Sequence, residues 1–290
     1  MKHLPLGAKQ RLSTYRKISI ASWNHPRDPS TYSWLDLPVE AADAFLKTLP
    51  TPRPSLTHYV AKIVAHCLEE HPALNHVIRG GSLYRRAQTD VFITTLLKGE
   101  QGYDLSGFVL RNVPQKDLNT LANESKLEAE KLKEGTDAEM ARVDELTQKL
   151  PVFVLRLLMR FQHFFHFTLN TSLRALGLPD DRFGSVMISN FGPLGLETGL
   201  VPLSPYCRCP LIIGIGRPRP LPIVRDGAVV VAECVNLSFT FDHRYADGAH
   251  GAQMMKKLQK VFLNPTRFPE IFAPVSTVVT EIASTEIVGL

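Results

Sequence analysis

Residues 228–265 read AVVVAECVNLSFTFDHRYADGAHGAQMMKKLQKVFLNP, and one periodicity gives way to another along them. Ala228 to Phe241 is a β-branched and aromatic run whose middle alternates apolar and polar side chains, as a strand with one buried face does. From Ala249 to Phe262 the apolar residues recur at helical spacing, with Ala252, Met255, Leu258 and Phe262 on one face, and Asn264-Pro265 ends the run. Arg225-Asp226-Gly227-Ala228 is a turn that feeds the strand, so a hairpin is expected there.

Working outward, Leu56, Tyr59, Val60, Ile63, Val64, Cys67 and Leu68 form one stripe of a helix, capped by Ser55 and stopped at His71-Pro72. Asp90–Leu97, Phe108–Val113, Ser185–Ser189 and Leu211–Ile215 read as strands. Residues 115–149 follow a charged helical pattern broken at Gly135, with Thr136 or Asp137 as cap of the second half. Strands and helices alternate, which predicts an α/β domain with a mixed sheet flanked by helices.

The segment VFVLRLLMRFQHFFHFTL, residues 152–169, is the most apolar in the chain. Arg156, Arg160, His163 and His166 make it costly as a bilayer span. Leu155, Leu158, Phe161, Phe165 and Leu169 form a face that is expected to be buried against protein, with a partner subunit or a membrane surface as the less favoured covers.

A chain of 290 residues with 44% hydrophobic residues can bury a core without staples. Its net charge of +5 suits small anionic molecules, and no Lys/Arg run is dense enough to point to nucleic acid. Four cysteines are too few for a disulfide framework, so a reducing, cytoplasmic setting is expected. Cys207-x-Cys209 lacks a second pair, and His58 and His66 lack a third ligand, so no metal site is read from any of them. The first 27 residues contain no acid, but they have no secretory apolar core.

His243 stands just past the long strand, with Asp247 four positions on and Gly248 letting the chain turn into the helix. An imidazole in such a loop suits acid/base work, although the spacing taken alone slightly favours a structural histidine.

The surrounding residues add to this. FTFDHRYADGAHGAQMMKKLQKVFLNP, with SVMISNFGPLG and PLIIGIGRPRPLPIVRDG upstream, resembles the catalytic domain of the dihydrolipoamide acyltransferases of 2-oxo acid dehydrogenase complexes, whose fold is shared with chloramphenicol acetyltransferase. The resemblance extends more loosely to residues 12–110 through LTHYVAKIVAHCLEEHPALNHVI, and it is poor over 111–184. It implies an acyltransferase catalytic domain over residues 1–265 with an insertion at about 151–184, and a C-terminal extension at 266–290.

By the same resemblance, His243 takes the proton from a thiol as it attacks an acyl thioester of coenzyme A, without an acyl-enzyme. Ser189, in Ile188-Ser189-Asn190-Phe191-Gly192 and 54 residues before His243, donates a hydrogen bond to the oxyanion. Asp247 holds the loop through an ion pair with Arg244 or Arg16. The resemblance also implies a homotrimer or larger assembly in which His243 of one subunit faces Ser189 of the next, and a dehydrogenase complex or lipoyl carrier as partner.

The chain departs from the family in two respects: no lipoyl-lysine module is read in it, and residues 103–109 (YDLSGFV) differ from the strand expected there. Two alternatives stay open, a non-catalytic trimeric scaffold and an acyltransferase for a lipid or other hydrophobic acceptor. Related lipid acyltransferases and condensation domains commonly pair two histidines where this chain has Asp242-His243, which favours the dehydrogenase-complex branch.

Overall fold

The structure, a computed structural model, describes residues 6–9, 28–99, 102–134, 150–176, 178, 180–204 and 207–274. Arg16 and the expected helix over 136–149 lie outside these residues.

Six strands form the path of a mixed sheet. They are β2 (Ser30–Pro38), β5 (Val91–Gly99), β6 (Gly102–Leu110), β7 (Val186–Asn190), β8 (Leu211–Ile215) and β10 (Ala228–Asp242), in spatial order β2-β10-β8-β7-β5-β6. β9 (Arg219–Arg225) pairs with the first half of β10 through the expected hairpin. The pairs β5–β7 and β7–β8 are parallel and the others antiparallel. A second, three-stranded sheet joins β1 (Leu6–Lys9), β4 (Ser82–Arg86) and β3 (His76–Arg79).

Strand alternation divides the large sheet into two faces. One face carries Val91 and Ile93, Val186 and Ile188, Leu211, Ile213 and Ile215, and Val235, Leu237, Phe239 and Phe241, all in one buried core. Helices α2 (Leu56–Glu70) and α5 (Gly248–Leu263) cover it. Tyr59 of α2 donates its hydroxyl to the Phe262 carbonyl of α5 at 2.9 Å and stacks on Phe272. Through Ile271 and Phe272 of the short α6 (Pro269–Phe272), the chain beyond residue 265 thus enters the core.

The second face is mixed. Phe92, Met187 and Ile212 form a small apolar cluster with Cys207 and Cys209. Thr94, Ser189, Gly214, Ser238 and Thr240 occupy the neighbouring positions of the same strands. Across them runs the loop 191–204, held by hydrogen bonds from Ser238 to the Gly199 carbonyl and from Thr240 to that of Val201. Glycine is required beneath it: a Cβ on Gly214 would lie 2.6 Å from the Phe191 ring, and one on Gly216 2.0 Å from the Glu197 carbonyl oxygen.

Three sequence expectations need correction. The buried face of α5 is Gly251, Met254, Leu258, Val261 and Phe262, not the set containing Ala252 and Met255, because the bare Gly251 is what seats the helix against the Phe241 ring. Strand β2, helix α1 (Glu40–Lys47) and the small sheet were not expected at all. The apolar helix is real over Val152–His163 (α4, following α3 at Leu118–Lys133), continuing as a π-helical turn over Phe164–Thr168, but most of it is not covered. Leu158, Phe161 and Leu169 are exposed, since α2 and α5 already fill the apolar face of the sheet.

The C-terminal end of α4 is held by polar and aromatic contacts. Phe167 is buried against Val77, and Arg79 donates to the Thr168 and Leu169 carbonyls. Arg208 donates from Nε to Nε2 of His163 at 2.8 Å, so that nitrogen carries no proton; burial, then Arg208 and His166, push the His163 pKa down to about 4. Asp180 and Asp181 are also tied in, through a buried Arg86–Asp181 pair and through Arg111, which donates to the Asp180 and Asp181 carbonyls.

Candidate active site

His243 follows the last residue of β10, where the strand leaves the sheet. Its backbone N–H donates to the Pro29 carbonyl at 3.1 Å and its side chain is partly buried. The residues on either side fix the loop. Asp242, 3% exposed, takes the Arg244 guanidinium on both carboxylate oxygens, with Nε–Oδ1 at 2.9 Å and Nη2–Oδ2 at 2.6 Å. Burial opposes the Arg244 charge, but the hydrogen bond and charge of Asp242 outweigh it and raise its pKa. Tyr245 is buried, and its hydroxyl accepts the Ile78 N–H at 3.1 Å, joining the loop to the small sheet.

Asp247 is the N-cap of α5. Its Oδ1 accepts the N–H groups of Ala249 and His250 at 3.1 and 3.2 Å and lies 2.6 Å from His250 Nδ1. A carboxylate at this position satisfies donors that the first helical turn leaves open and complements the helix dipole. Of the two cations expected near Asp247, Arg244 is engaged by Asp242 and Arg16 is outside the described residues.

Ser189 lies near the C-terminal end of β7, partly exposed, on the mixed face of the sheet. Thr94 of β5 donates its hydroxyl to Ser189 Oγ at 3.1 Å, with the Ile188 carbonyl oxygen 3.3 Å away as its other acceptor. A Ser189 oxygen that already accepts from Thr94 can aim its own proton outward. Asn190, on the opposite face, donates to Thr57 and accepts the Gly192 N–H, which fixes the chain where it leaves the strand. Thr94 is missing from the sequence reading. Its only signal is positional: β5 pairs with β7 in parallel with Ile93 opposite Ile188, and that register brings the two hydroxyls together.

The register also separates Ser189 from His243. Ser189 is level with Gly214 of β8, and Gly214 with Ser238 of β10. His243 lies five residues farther along β10, at the end of the sheet where β7 begins. Five residues of strand and two strand spacings amount to about 19 Å within one chain. The histidine and the serine therefore stand at opposite ends of the sheet, and no single protomer brings them to one carbon atom.

The other candidate chemistry recedes. Cys207 and Cys209 are buried, donate to the Ser204 and Leu211 carbonyls, and have thiol pKa values raised by burial. His58 Nδ1 accepts the Ser55 N–H in a capping box, and His66 pairs with Glu70 one turn away. Among the described residues no group of three or more His, Cys, Asp or Glu could hold a metal ion, and no helix is long and apolar enough to cross a membrane.

Comparison with known proteins bears on the fold and on the segment that holds these residues. The profile of the 2-oxoacid dehydrogenases acyltransferase (catalytic domain) family matches residues 171–269, which include both Ser189 and His243. Over 80 residues the chain is 40% identical to the dihydrolipoyllysine-residue acetyltransferase component of the Staphylococcus aureus pyruvate dehydrogenase complex, a match that takes in 27% of this chain and 18% of that protein's length. A crystal structure of a probable dihydrolipoamide acetyltransferase from Listeria monocytogenes superimposes with a TM-score of 0.60 at 15% identity, covering 88% of this chain and 94% of that one. Chloramphenicol acetyltransferase superimposes with a TM-score of 0.50 at 16% identity, covering 88% of this chain and all of the other. The chain thus has a fold of the chloramphenicol acetyltransferase type, and its residues 171–269 are similar to the catalytic-domain family of the 2-oxoacid dehydrogenase acyltransferases.

Proposed function

We propose that the chain is an acyltransferase that moves an acyl group between coenzyme A and a thiol of the dihydrolipoamide type. The observation that carries this reading is that the DHRYADG loop and the Ser189 strand end both lie in the matched family segment, each held by its own network. The distance between them within one protomer supports the second half of the proposal. The working site is completed by another copy of the chain, in a trimer or larger assembly, with His243 from one copy and Ser189 from its neighbour.

The reaction follows from the groups present. A thiol of pKa about 8.5 is mostly protonated at neutral pH, and the thiolate is the nucleophile. His243 removes the S–H proton as sulfur attacks the thioester carbonyl carbon; the C–S bond forms and the carbonyl oxygen takes the negative charge. Ser189 donates to that oxyanion. Collapse restores the carbonyl and breaks the other C–S bond, and the departing sulfur of coenzyme A recovers the proton from the imidazolium. No acyl-enzyme is needed, and coenzyme A acts as a substrate. Asp247 holds the loop between His243 and α5 through its cap. A lipoyl carrier or dehydrogenase complex is taken to supply the acceptor.

The test is transfer from a panel of acyl-CoA thioesters to dihydrolipoamide, followed by thioester absorbance, together with calorimetric titration of coenzyme A. Transfer above the uncatalysed rate supports the reading. Binding without transfer points to a scaffold, and neither binding nor transfer removes coenzyme A from the account. Within this scheme Thr94→Val is expected to lower kcat about 5-fold with KM for acyl-CoA unchanged, since it removes one neutral hydrogen bond behind the oxyanion donor. Thr94→Ser should restore most of the rate, and a rise in KM instead would assign Thr94 to substrate binding.

A further inference from the structure

Helix α4 is largely uncovered. Phe153 is 73% exposed and Leu157 67%, and Leu158, Met159, Phe161 and Phe164 are exposed as well. Among the described side chains of Val152–His163 none is fully buried. At 100° per residue Phe153, Leu157, Phe161 and Phe164 form one outward stripe, and Arg156 and Arg160 lie along one flank of it, both exposed. His163 does not add to that charge, because it is neutral against Arg208.

The charge along this stretch of sequence is of one sign. No Asp or Glu occurs between residues 146 and 179, and the net charge of the chain is +5. A protein partner would have to place acids beside the arginines while keeping the centre of the interface apolar, whereas an anionic bilayer offers both layers at once. Aromatic and aliphatic side chains enter the acyl boundary, and arginines extend to the phosphates along their own apolar stems. At 12 residues and with two arginines, α4 can lie in that boundary but not cross it.

We infer that α4 is an interfacial helix that seats this protein on an anionic phospholipid surface. Its C-terminal end is bound to Arg208, two residues before Pro210, whose carbonyl accepts the Asp242 N–H. The surface so held is therefore at the His243 end of the sheet, not the Ser189 end. This inference stands on exposure and charge, independently of the acyltransfer reaction.

The experiment is co-sedimentation of the full chain with vesicles of phosphatidylcholine alone and of phosphatidylcholine mixed with phosphatidylglycerol. Two double variants accompany the wild type: Leu157→Ser with Phe161→Ser, and Arg156→Glu with Arg160→Glu. All four positions are exposed, and far-UV circular dichroism checks that the fold is kept. The wild type should partition onto the phosphatidylglycerol vesicles and release at high salt. Loss of each arginine contact should weaken partitioning about 5-fold, with charge reversal costing more, and the serine pair should abolish partitioning. Failure of the wild type to partition, or equal partitioning of all three proteins, overturns the inference. So does a change in sedimentation velocity of either variant without vesicle binding by the wild type, which would make a second copy of the chain the occupant of α4.

Discussion

Replacing His243 with alanine is expected to slow acyl transfer by about 10²- to 10⁴-fold, the range lost with a positioned general base. The variant should remain folded, because three contacts that hold the loop are made by other groups. The Pro29 contact uses the backbone N–H, Asp242 and Arg244 hold each other, and Tyr245 is bound to Ile78. The pH profile separates loss of a base from loss of shape. Without an internal base the acceptor must ionise by itself, so the residual rate should climb about tenfold per pH unit until the thiol pKa near 8.5 is reached. The wild-type enzyme should be much less dependent on pH in that range. The measurement is initial rate against pH for both proteins with one acyl-CoA and dihydrolipoamide. Equal turnover, or parallel profiles, would take His243 out of the mechanism.

Ser189→Ala is expected to cost about 10²- to 10³-fold, the usual loss for one oxyanion donor. Mixing this variant with His243→Ala gives a sharper result. If the two groups met within one chain, any mixture of the variants would stay inactive. With the groups about 19 Å apart in each chain, as strand spacing implies, a site is intact wherever a chain that retains His243 adjoins one that retains Ser189. Random co-assembly from equal amounts, by denaturation and refolding together, makes about one interface in four intact in a cyclic assembly. Activity should therefore return to about a quarter of the wild-type value, far above either variant alone. A mixture no more active than its components, in an oligomer shown by mass analysis to contain both chains, would sink the shared-site proposal.

Much of the fold was legible because its signals are local. The change from strand alternation to helical spacing across residues 228–262, the turn at 225–228 and the buried strand Leu211–Ile215 all appear where expected. Strand β2 was not legible. It is an edge strand with Tyr32 and Trp34 exposed, and what orders it is pairing with β10, some two hundred residues away. Nor could periodicity reveal that the broad apolar surface of α4 lacks a cover, since that depends on which faces other helices have already taken.

The order of residues alone determined the chemistry available to this protein: an imidazole just beyond a strand, a hydroxyl at another strand end, and a carboxylate four positions past the imidazole. These are short-range facts of spacing, turn formation and side-chain type. Only the tertiary structure decided that Arg244 is held by Asp242, that Thr94 stands behind Ser189, and that His243 and Ser189 lie at opposite ends of one sheet. The reason is that strand register is set by the packing of segments far apart in the chain, and a register cannot be read from either segment by itself.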